Sequence, residues 1–335
     1  MVAACTCGGD PFPCGQRWKT GEVIFVGTVK SKAPLQSSQV DGGSFSIGHG
    51  YTYYIQVTES LRGPYLAGQE LAIETGNGGG DCGYRFIPGN EYLVYANGSK
   101  RLETNICTPT QPKVMAGGII RQLRALRDQR PLDSLFGTIG MGPTGAGFED
   151  PIEAHPLANV PVRVIDSNKR EHMTKTDGEG FYSFSSLPPD KYTIHVELPA
   201  NLSLWQQNTD KPFTIEIKEG ANCPINLFAR PDGRIAGTVV NANGKRLTGF
   251  VTIKPEDPKE AEVASRRGGL PGYTTEDGTF KLLQVSPGRY RLLFYPKVGD
   301  RIIFANVTYS RVIEIGFGQH VEDFRFIVEP NKHKP

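Results

Sequence analysis

One pattern occurs twice in this chain, 100 positions apart, and nothing else in the sequence limits the fold as much. GTIG from Gly137 is matched by GTVV from Gly237, and TDGEGFYSFSSLPPDKYTIHVELP from Thr176 by TEDGTFKLLQVSPGRYRLLFYP from Thr275. In each copy an Asp-Gly pair, Asp177-Gly178 or Asp277-Gly278, reads as a hairpin turn, since these residues tolerate the tight reversal. The strand after it alternates, with Phe181, Ser183 and Ser185 against Tyr182 and Phe184 in the first copy, which is the period of a half-buried strand. A proline turn and a strand led by Tyr192 or Tyr290 follow, and each copy closes on further alternating segments, PFTIEIKEG and NCPINLFAR, then RVIEIGFG and VEDFRFIV. A repeat of this length is a domain, not a solenoid turn, and about seven strands per copy predict an antiparallel sandwich.

The repeat leaves the first third of the chain as a module of its own. EVIFVGTVKSK from Glu22, YTYYIQVTESLRG from Tyr51, QELAIETG from Gln69 and NEYLVYANG from Asn90 read as strands, broken by GNGGGDCG at Gly76 and IPGN at Ile87. About five strands are expected there. VMAGGIIRQLRALRDQ from Val114 places Ile119, Ile120, Leu123 and Leu126 at helical spacing and Arg121, Arg124 and Arg127 on another face. One helix closes the module; its arginines could contact an acidic partner, though a solvated face is the commoner meaning. With 335 residues and roughly 100–150 per domain, three domains are expected: 1–130, 131–230 and 231–335. Gly 40 and Pro 25 suit short strands and tight turns, so the predicted class is all-β.

Charge and hydropathy remove several functions. Lys plus Arg total 37 against 35 Asp plus Glu, a net charge of +2, which offers no reason to expect nucleic acid. The longest apolar runs are short, as in Val23-Ile24-Phe25-Val26, far from the roughly 20 residues of a membrane helix. A soluble chain without a transmembrane segment is expected. No secretory signal is visible, but small residues precede Cys5 in Met1-Val2-Ala3-Ala4-Cys5, as at the end of a removed export signal. The same residues fit a lipoprotein cleavage box, in which case Cys5 carries lipid.

Five of the six cysteines, Cys5, Cys7, Cys14, Cys82 and Cys107, lie in the first third; the sixth is Cys223. No Cys-x-x-Cys pair occurs and the histidines are scattered, so no metal site is expected, and disulfides in an oxidising compartment are preferred to buried free thiols. Enzyme motifs are missing too: no Gly-x-Ser-x-Gly, no His-Glu-x-x-His, no phosphate loop. Glu149-Asp150 and Glu256-Asp257 are paired carboxylates without a companion His, and read as solvated turns. Asp177 and Asp277 make hairpin turns or, alternatively, hold calcium. Trp205 is the best candidate for stacking on a sugar ring, against core filling or loop anchoring. No cofactor is expected.

The repeat also resembles the carboxypeptidase regulatory-like, or transthyretin-like, Ig-type modules of bacterial surface proteins, over residues 136–230 and 231–330. Cys5-Thr6-Cys7, Cys14, VIFVGTV, YTYYIQVTESLRGP, DCGYRFIPGNEYLVYA and Cys107 follow the order found in the netrin-like OB barrel of the tissue inhibitors of metalloproteinases, over residues 5–128. That resemblance implies a barrel with one C-terminal helix and pairs Cys5 with Cys82 and Cys7 with Cys107, each bridge contributing on the order of 4 kcal/mol. The family's third bridge has no counterpart. Cys14 and Cys223 are left over, either paired with each other and locking barrel to sandwich, or free.

Two functions follow. The first is a non-enzymatic binding or scaffold protein, secreted, periplasmic or on a bacterial surface, contacting protein or carbohydrate through the kind of sites such modules carry. The second, implied by the inhibitor resemblance, is a metalloproteinase inhibitor: the free α-amine and carbonyl of Cys5 chelate the protease zinc while Thr6 enters its specificity pocket. Met1 to Ala4 block that chemistry unless removed. Asn97-Gly98-Ser99, Asn201-Leu202-Ser203 and Asn306-Val307-Thr308 are glycosylation sites only in a eukaryotic host, against which the repeat style argues.

Overall fold

The computed structural model describes residues 7, 14, 16–35, 50–78, 82–98, 100–141, 155–204, 213–257, 272–304 and 308–328. Two compact units emerge, Met1–Glu197 with Thr209–Leu227, and Leu198–Asn208 with Phe228–Pro335. Nearly all regular structure is β, and no helix among the described residues is long and apolar enough to cross a membrane.

The first unit opens with one sheet curled into a half-barrel. Its strands are β1 (Val23–Pro34), β2 (Gly50–Arg62), β3 (Glu70–Gly76), β4 (Glu91–Ala96), β5 (Leu102–Glu103) and β6 (Gln111–Pro112), ordered β5-β3-β2-β1-β4-β6. That is one strand more than expected, because the two-residue edge strands are too short to leave a period in the sequence. The first half of β1 and nearly all of β4 are buried on both faces, which is why Val23–Val26 is a continuous apolar run. Val23 and Phe25 enter the inner core with Tyr53, Ile55, Ile73, Tyr92 and Val94. Ile24 and Val26 face the opposite way, beneath α1 (Gly117–Arg127), with Ile119, Ile120 and Leu123.

Phe136, from the first repeat, completes that outer core and meets Trp18 edge to face at 5.3 Å. Half-barrel and first repeat thus share a core. The repeat contributes β7 (Leu135–Met141), β8 (His155–Pro156), β9 (Pro161–Ile165), β10 (Glu171–Lys175), β11 (Phe181–Phe184) and β12 (Asp190–Val196). After β13 (Leu202–Leu204), which belongs to the second unit, β14 (Phe213–Ile217) and β15 (Cys223–Pro224) return to it. One sheet runs β10-β9-β12-β14; in the other, β7 lies against β11, β8 and β15.

The second unit holds part of β16 (Leu227–Pro231), then β17 (Gly233–Asn241), β18 (Gly249–Pro255), β19 (Gly272–Thr275), β20 (Thr279–Val285), β21 (Gly288–Val298), β22 (Arg301–Ile302), β23 (Thr308–Ile315) and β24 (His320–Val328). Its sheets run β20-β17-β24 and β19-β18-β21-β22, with β23 also on β21. Val239, Val251, Leu292, Phe294 and Phe326 lie at the centre of its core.

Neither repeat is purely antiparallel, contrary to the sequence expectation. The last strand comes back alongside the first and parallel to it, β15 on β7 and β24 on β17, a crossover pairing that side-chain alternation does not encode. The parallel pairs explain the glycine shared by GTIG and GTVV. A Cβ on Gly137 would sit 1.7 Å from the Ile225 carbonyl oxygen, and one on Gly237 1.9 Å from that of Phe324. The repeat interval also changes along the copy. The left-handed turn residue is Gly180 (φ 71°) in the first copy and Gly278 (φ 82°) in the second, so Tyr182 and Phe280, both opposite their shared glycine, are closer in sequence than the Asp-Gly pairs are. Tyr192 and Tyr290 hold equivalent corners, their hydroxyls donating to the carbonyls of Pro188 and Ser286 at 2.8 and 3.0 Å.

Candidate functional site

The cysteine-rich front end is where sequence reasoning placed function. Cys5 and Thr6 lie outside the described residues. Cys7 is bonded to Cys107, and Cys82 is also disulfide-bonded, with a partner outside the described residues. The two anchoring loops are tied to each other, because the Ile106 N–H donates to the Cys82 carbonyl at 2.9 Å. Cys82 adopts a left-handed φ of 60°, uncommon for a residue with a Cβ. Behind Cys107, the hydroxyls of Thr104, Thr108 and Thr110 form a triangle with 2.9 Å sides. Asn105 Oδ1 accepts the Cys107 N–H at 2.9 Å. The loop that carries Cys107 is therefore braced by side chains.

Cys14 is bonded to Cys223, 209 residues away. Just after it, the short 3-10 helix Gln16–Lys19 carries Trp18, fully buried, whose Nε1–H donates to the Asn222 carbonyl at 3.1 Å. Lys19 Nζ donates to Asn222 Oδ1, and burial lowers the Lys19 ammonium pKa. Asn222 Nδ2 in turn donates to the Asp133 carbonyl at 2.8 Å. A covalent bond and a hydrogen-bonded clamp thus join the N-terminal segment to adjacent residues of the first repeat. Among the residues that sequence reading passed over, Trp18 is the chief one, since a single aromatic in a polar run has no period to betray its burial.

The helix arginines stay half-exposed but contact acidic side chains of this chain, the less common of the two meanings that the sequence left open. Arg121 donates to Asp177 Oδ2 and Glu179 Oε2, both at 2.6 Å, and its guanidinium stacks 4.4 Å from the Phe181 ring. Arg124 binds Glu59 through Nε and Nη2 at 2.9 and 2.6 Å, and Arg127 Nη1 reaches the same carboxylate at 3.2 Å. These hydrogen bonds, from Arg124 above all, hold the Glu59 carboxyl below its usual range. Burial pushes the Asp177 carboxyl up, but bonds from Arg121 and from the N–H groups of Phe181 and Glu179 outweigh it and leave it lowered. The helix is pinned to the half-barrel by one charge cluster and to the first repeat by another.

Asp177 is therefore a turn residue and an ion-pair partner. Asp277 Oδ1 accepts the N–H and hydroxyl of Thr279 at 2.9 and 2.6 Å. Glu256 Oε1 accepts from Arg291 Nε at 2.7 Å. Among the described residues no group of three or more His, Cys, Asp or Glu is placed to hold a metal ion. Glu149, Asp150 and Trp205 lie outside the described residues.

A second feature lies at the mouth of the half-barrel, where Lys32, Tyr51, Tyr53, Asn77, Arg85 and Phe86 line most of an open cleft of about 420 Å³. No motif marked these residues. They come from four separate stretches, which converge because β2 pairs with β1 on one side and β3 on the other.

No family model matches this chain, and no curated protein matches it. Among solved structures, the minor pilin GBS52 of Streptococcus agalactiae aligns with a TM-score of 0.23 and 12% identity, over 60% of this chain and 98% of that one. The Bacillus anthracis TIE protein aligns at 0.23 and 17%, over 92% of this chain and 47% of its own. The shaft pilin spaA from Lactobacillus rhamnosus GG aligns at 0.22 and 12%, over 60% and 98%. Similarity at this level carries no argument about function.

Proposed function

We propose that this chain is a non-enzymatic, extracytoplasmic scaffold that binds protein or carbohydrate, built as a netrin-like half-barrel and two carboxypeptidase regulatory-like sandwiches in the three segments 1–130, 131–230 and 231–335. The observation that carries the reading is the Cys14–Cys223 bridge. A bond closing so long a loop does little for a reducing cytosol and much for a protein exposed to proteases and mechanical load outside the cell. The shared core at Trp18 and Phe136 and the arginine-pinned helix support it, because they make the first unit a stiff support. Fractionation of the native host with thiol counting under denaturing, non-reducing conditions tests it. The expected result is protein outside the cytoplasm with no titratable thiol; cytoplasmic protein with several free thiols overturns it.

A second reading, a metalloproteinase inhibitor acting through Cys5 and Thr6, is favoured by the bonding of Cys82 and Cys107 in two loops joined at Ile106. Such a bonded pair of loops is constrained, and rigidity lowers the entropy lost on binding. Sequencing the mature N-terminus and assaying metalloproteinases decides it. A chain starting at Cys5 that inhibits with zinc-dependent affinity supports the reading; a chain starting at Val2 or Ala3, or one without inhibition, ends it.

A further inference from the structure

We propose that Asn97 is a self-modification site: the half-barrel converts it to aspartate and isoaspartate, with Glu22 assisting attack of the Gly98 nitrogen on the Asn97 side-chain amide. The inference is independent of the binding function proposed above.

Three Asn-Gly pairs occur in the chain, Asn77-Gly78, Asn97-Gly98 and Asn243-Gly244. In such a pair the next backbone nitrogen reaches the amide carbon with little hindrance, because glycine has no Cβ. The fold equips one of them further. Val23 of β1 pairs with Ala96 of β4 in antiparallel register, which sets Glu22, just before β1, beside Asn97, just after β4. Two hydrogen bonds join them. The Gly98 N–H donates to Glu22 Oε2 at 2.8 Å, and the Glu22 N–H donates to Asn97 Oδ1 at 3.2 Å. The Asn97 backbone carbonyl accepts the Glu103 N–H at 2.9 Å. Gly98 has a φ of 114°, and a Cβ there would sit 2.0 Å from the Arg101 carbonyl oxygen, so the position admits only glycine. Glu22, Asn97 and Gly98 are all exposed to water.

These bonds supply what imide formation requires. A carboxylate that accepts the Gly98 N–H stands where a base must stand to take its proton. The Glu103 N–H on the Asn97 carbonyl polarises that peptide bond and makes the proton more acidic. The Glu22 N–H polarises the side-chain carbonyl and stabilises the oxyanion that forms on Oδ1. As the proton passes to Glu22, the Gly98 nitrogen bonds to Asn97 Cγ. The Cγ–Nδ2 bond then breaks, and Nδ2 leaves as ammonia with the proton returned by Glu22. Water opens the resulting five-membered imide at either carbonyl, giving aspartate or isoaspartate, so one water is consumed for each ammonia released. Asn243-Gly244 is the internal comparison, since its Gly244 N–H donates at 2.9 Å to the Asn241 backbone carbonyl, which takes no proton. Either product sets a second carboxylate beside Glu22, and isoaspartate lengthens the main chain where Asn97 bridges Glu103.

Timed incubation of the folded, oxidised full chain at neutral pH, followed by tryptic digestion and mass spectrometry, tests the proposal. Cleavage after Arg85 and Lys100 isolates Asn97, and cleavage after Arg234 and Lys245 isolates Asn243. Fragment ions place the amide-to-acid mass change, and chromatography separates the isoaspartyl peptide from the aspartyl one. Asn97 should convert about tenfold or more faster than Asn243 in the folded chain, and at a similar rate to it after reduction in guanidinium chloride. Glu22→Gln keeps an acceptor for the Gly98 N–H but cannot take its proton; it should slow conversion at Asn97 by about tenfold or more and leave Asn243 unchanged. Glu22 is exposed, and an unchanged thermal transition verifies that the variant folds. Conversion at Asn97 no faster than at Asn243 would mean that the Glu103 bridge holds the backbone against ring closure, and overturns the proposal. So does a preference for Asn97 that persists in the denatured chain, or a rate unaffected by Glu22→Gln.

Discussion

Removing the Cys14–Cys223 bridge separates covalent constraint from packing as the force holding the N-terminal segment in place. The perturbation is Cys14→Ala with Cys223→Ala; alanine is preferred to serine because Cys223 is fully buried and an unpaired hydroxyl there would add its own desolvation cost. The bond spans 209 residues, but the Cys7–Cys107 bond shortens the loop it closes. The connecting path runs from Cys14 back to Cys7, across that bond, and on from Cys107 to Cys223. Chain entropy for such a loop, about 125 residues, amounts to about 5 kcal/mol. What remains is noncovalent: Trp18 against Phe136, and the Asn222 clamp. For a unit of this size, about 5 kcal/mol lowers the melting temperature by about 10–20 °C. Differential scanning calorimetry of the full chain checks this, with the expectation that the transition of the first unit falls while that of the second stays. A shift below about 3 °C would refute the reasoning, because it would mean that packing alone restricts the unfolded chain as much as the bond does.

Gly137→Ala should destabilise the first unit by about 3 kcal/mol or more, because its Cβ would collide with backbone rather than a movable side chain, whereas Gly178→Ala, with open space around it, should stay within about 0.5 kcal/mol of the parent in urea titrations. Trp18→Ala should cost about 3–5 kcal/mol by removing a buried anchor, read by the same denaturation. Glu59 has a depressed carboxyl pKa in the folded chain, so its contribution is complete above the unfolded value of about 4.3 and fades as pH falls through the lower folded value. Glu59→Gln should therefore flatten the acid limb of stability against pH; an unchanged limb would show that the Arg124 pair adds nothing.

Much of this fold was legible because it rests on short-range physics. Alternation marked β11 and β20, the match of GTIG to GTVV marked the repeat, and helical spacing marked α1. Other features have no local signature. Burial of Trp18, the partners of Arg121 and Arg124, and the parallel return of β15 and β24 depend on which surfaces meet after folding. Cysteine spacing likewise left the fate of Cys14 and Cys223 open, since a bond needs their Cα atoms within a few ångströms and sequence separation sets no such distance. The mouth of the half-barrel shows the division most sharply. Apolar runs and alternation mark β1 and β2 as strands from the residues alone; that Lys32 turns inward follows from their pairing, through a one-residue slip between Val29 and Ser31, because strand register is a long-range choice that exchanges the two faces.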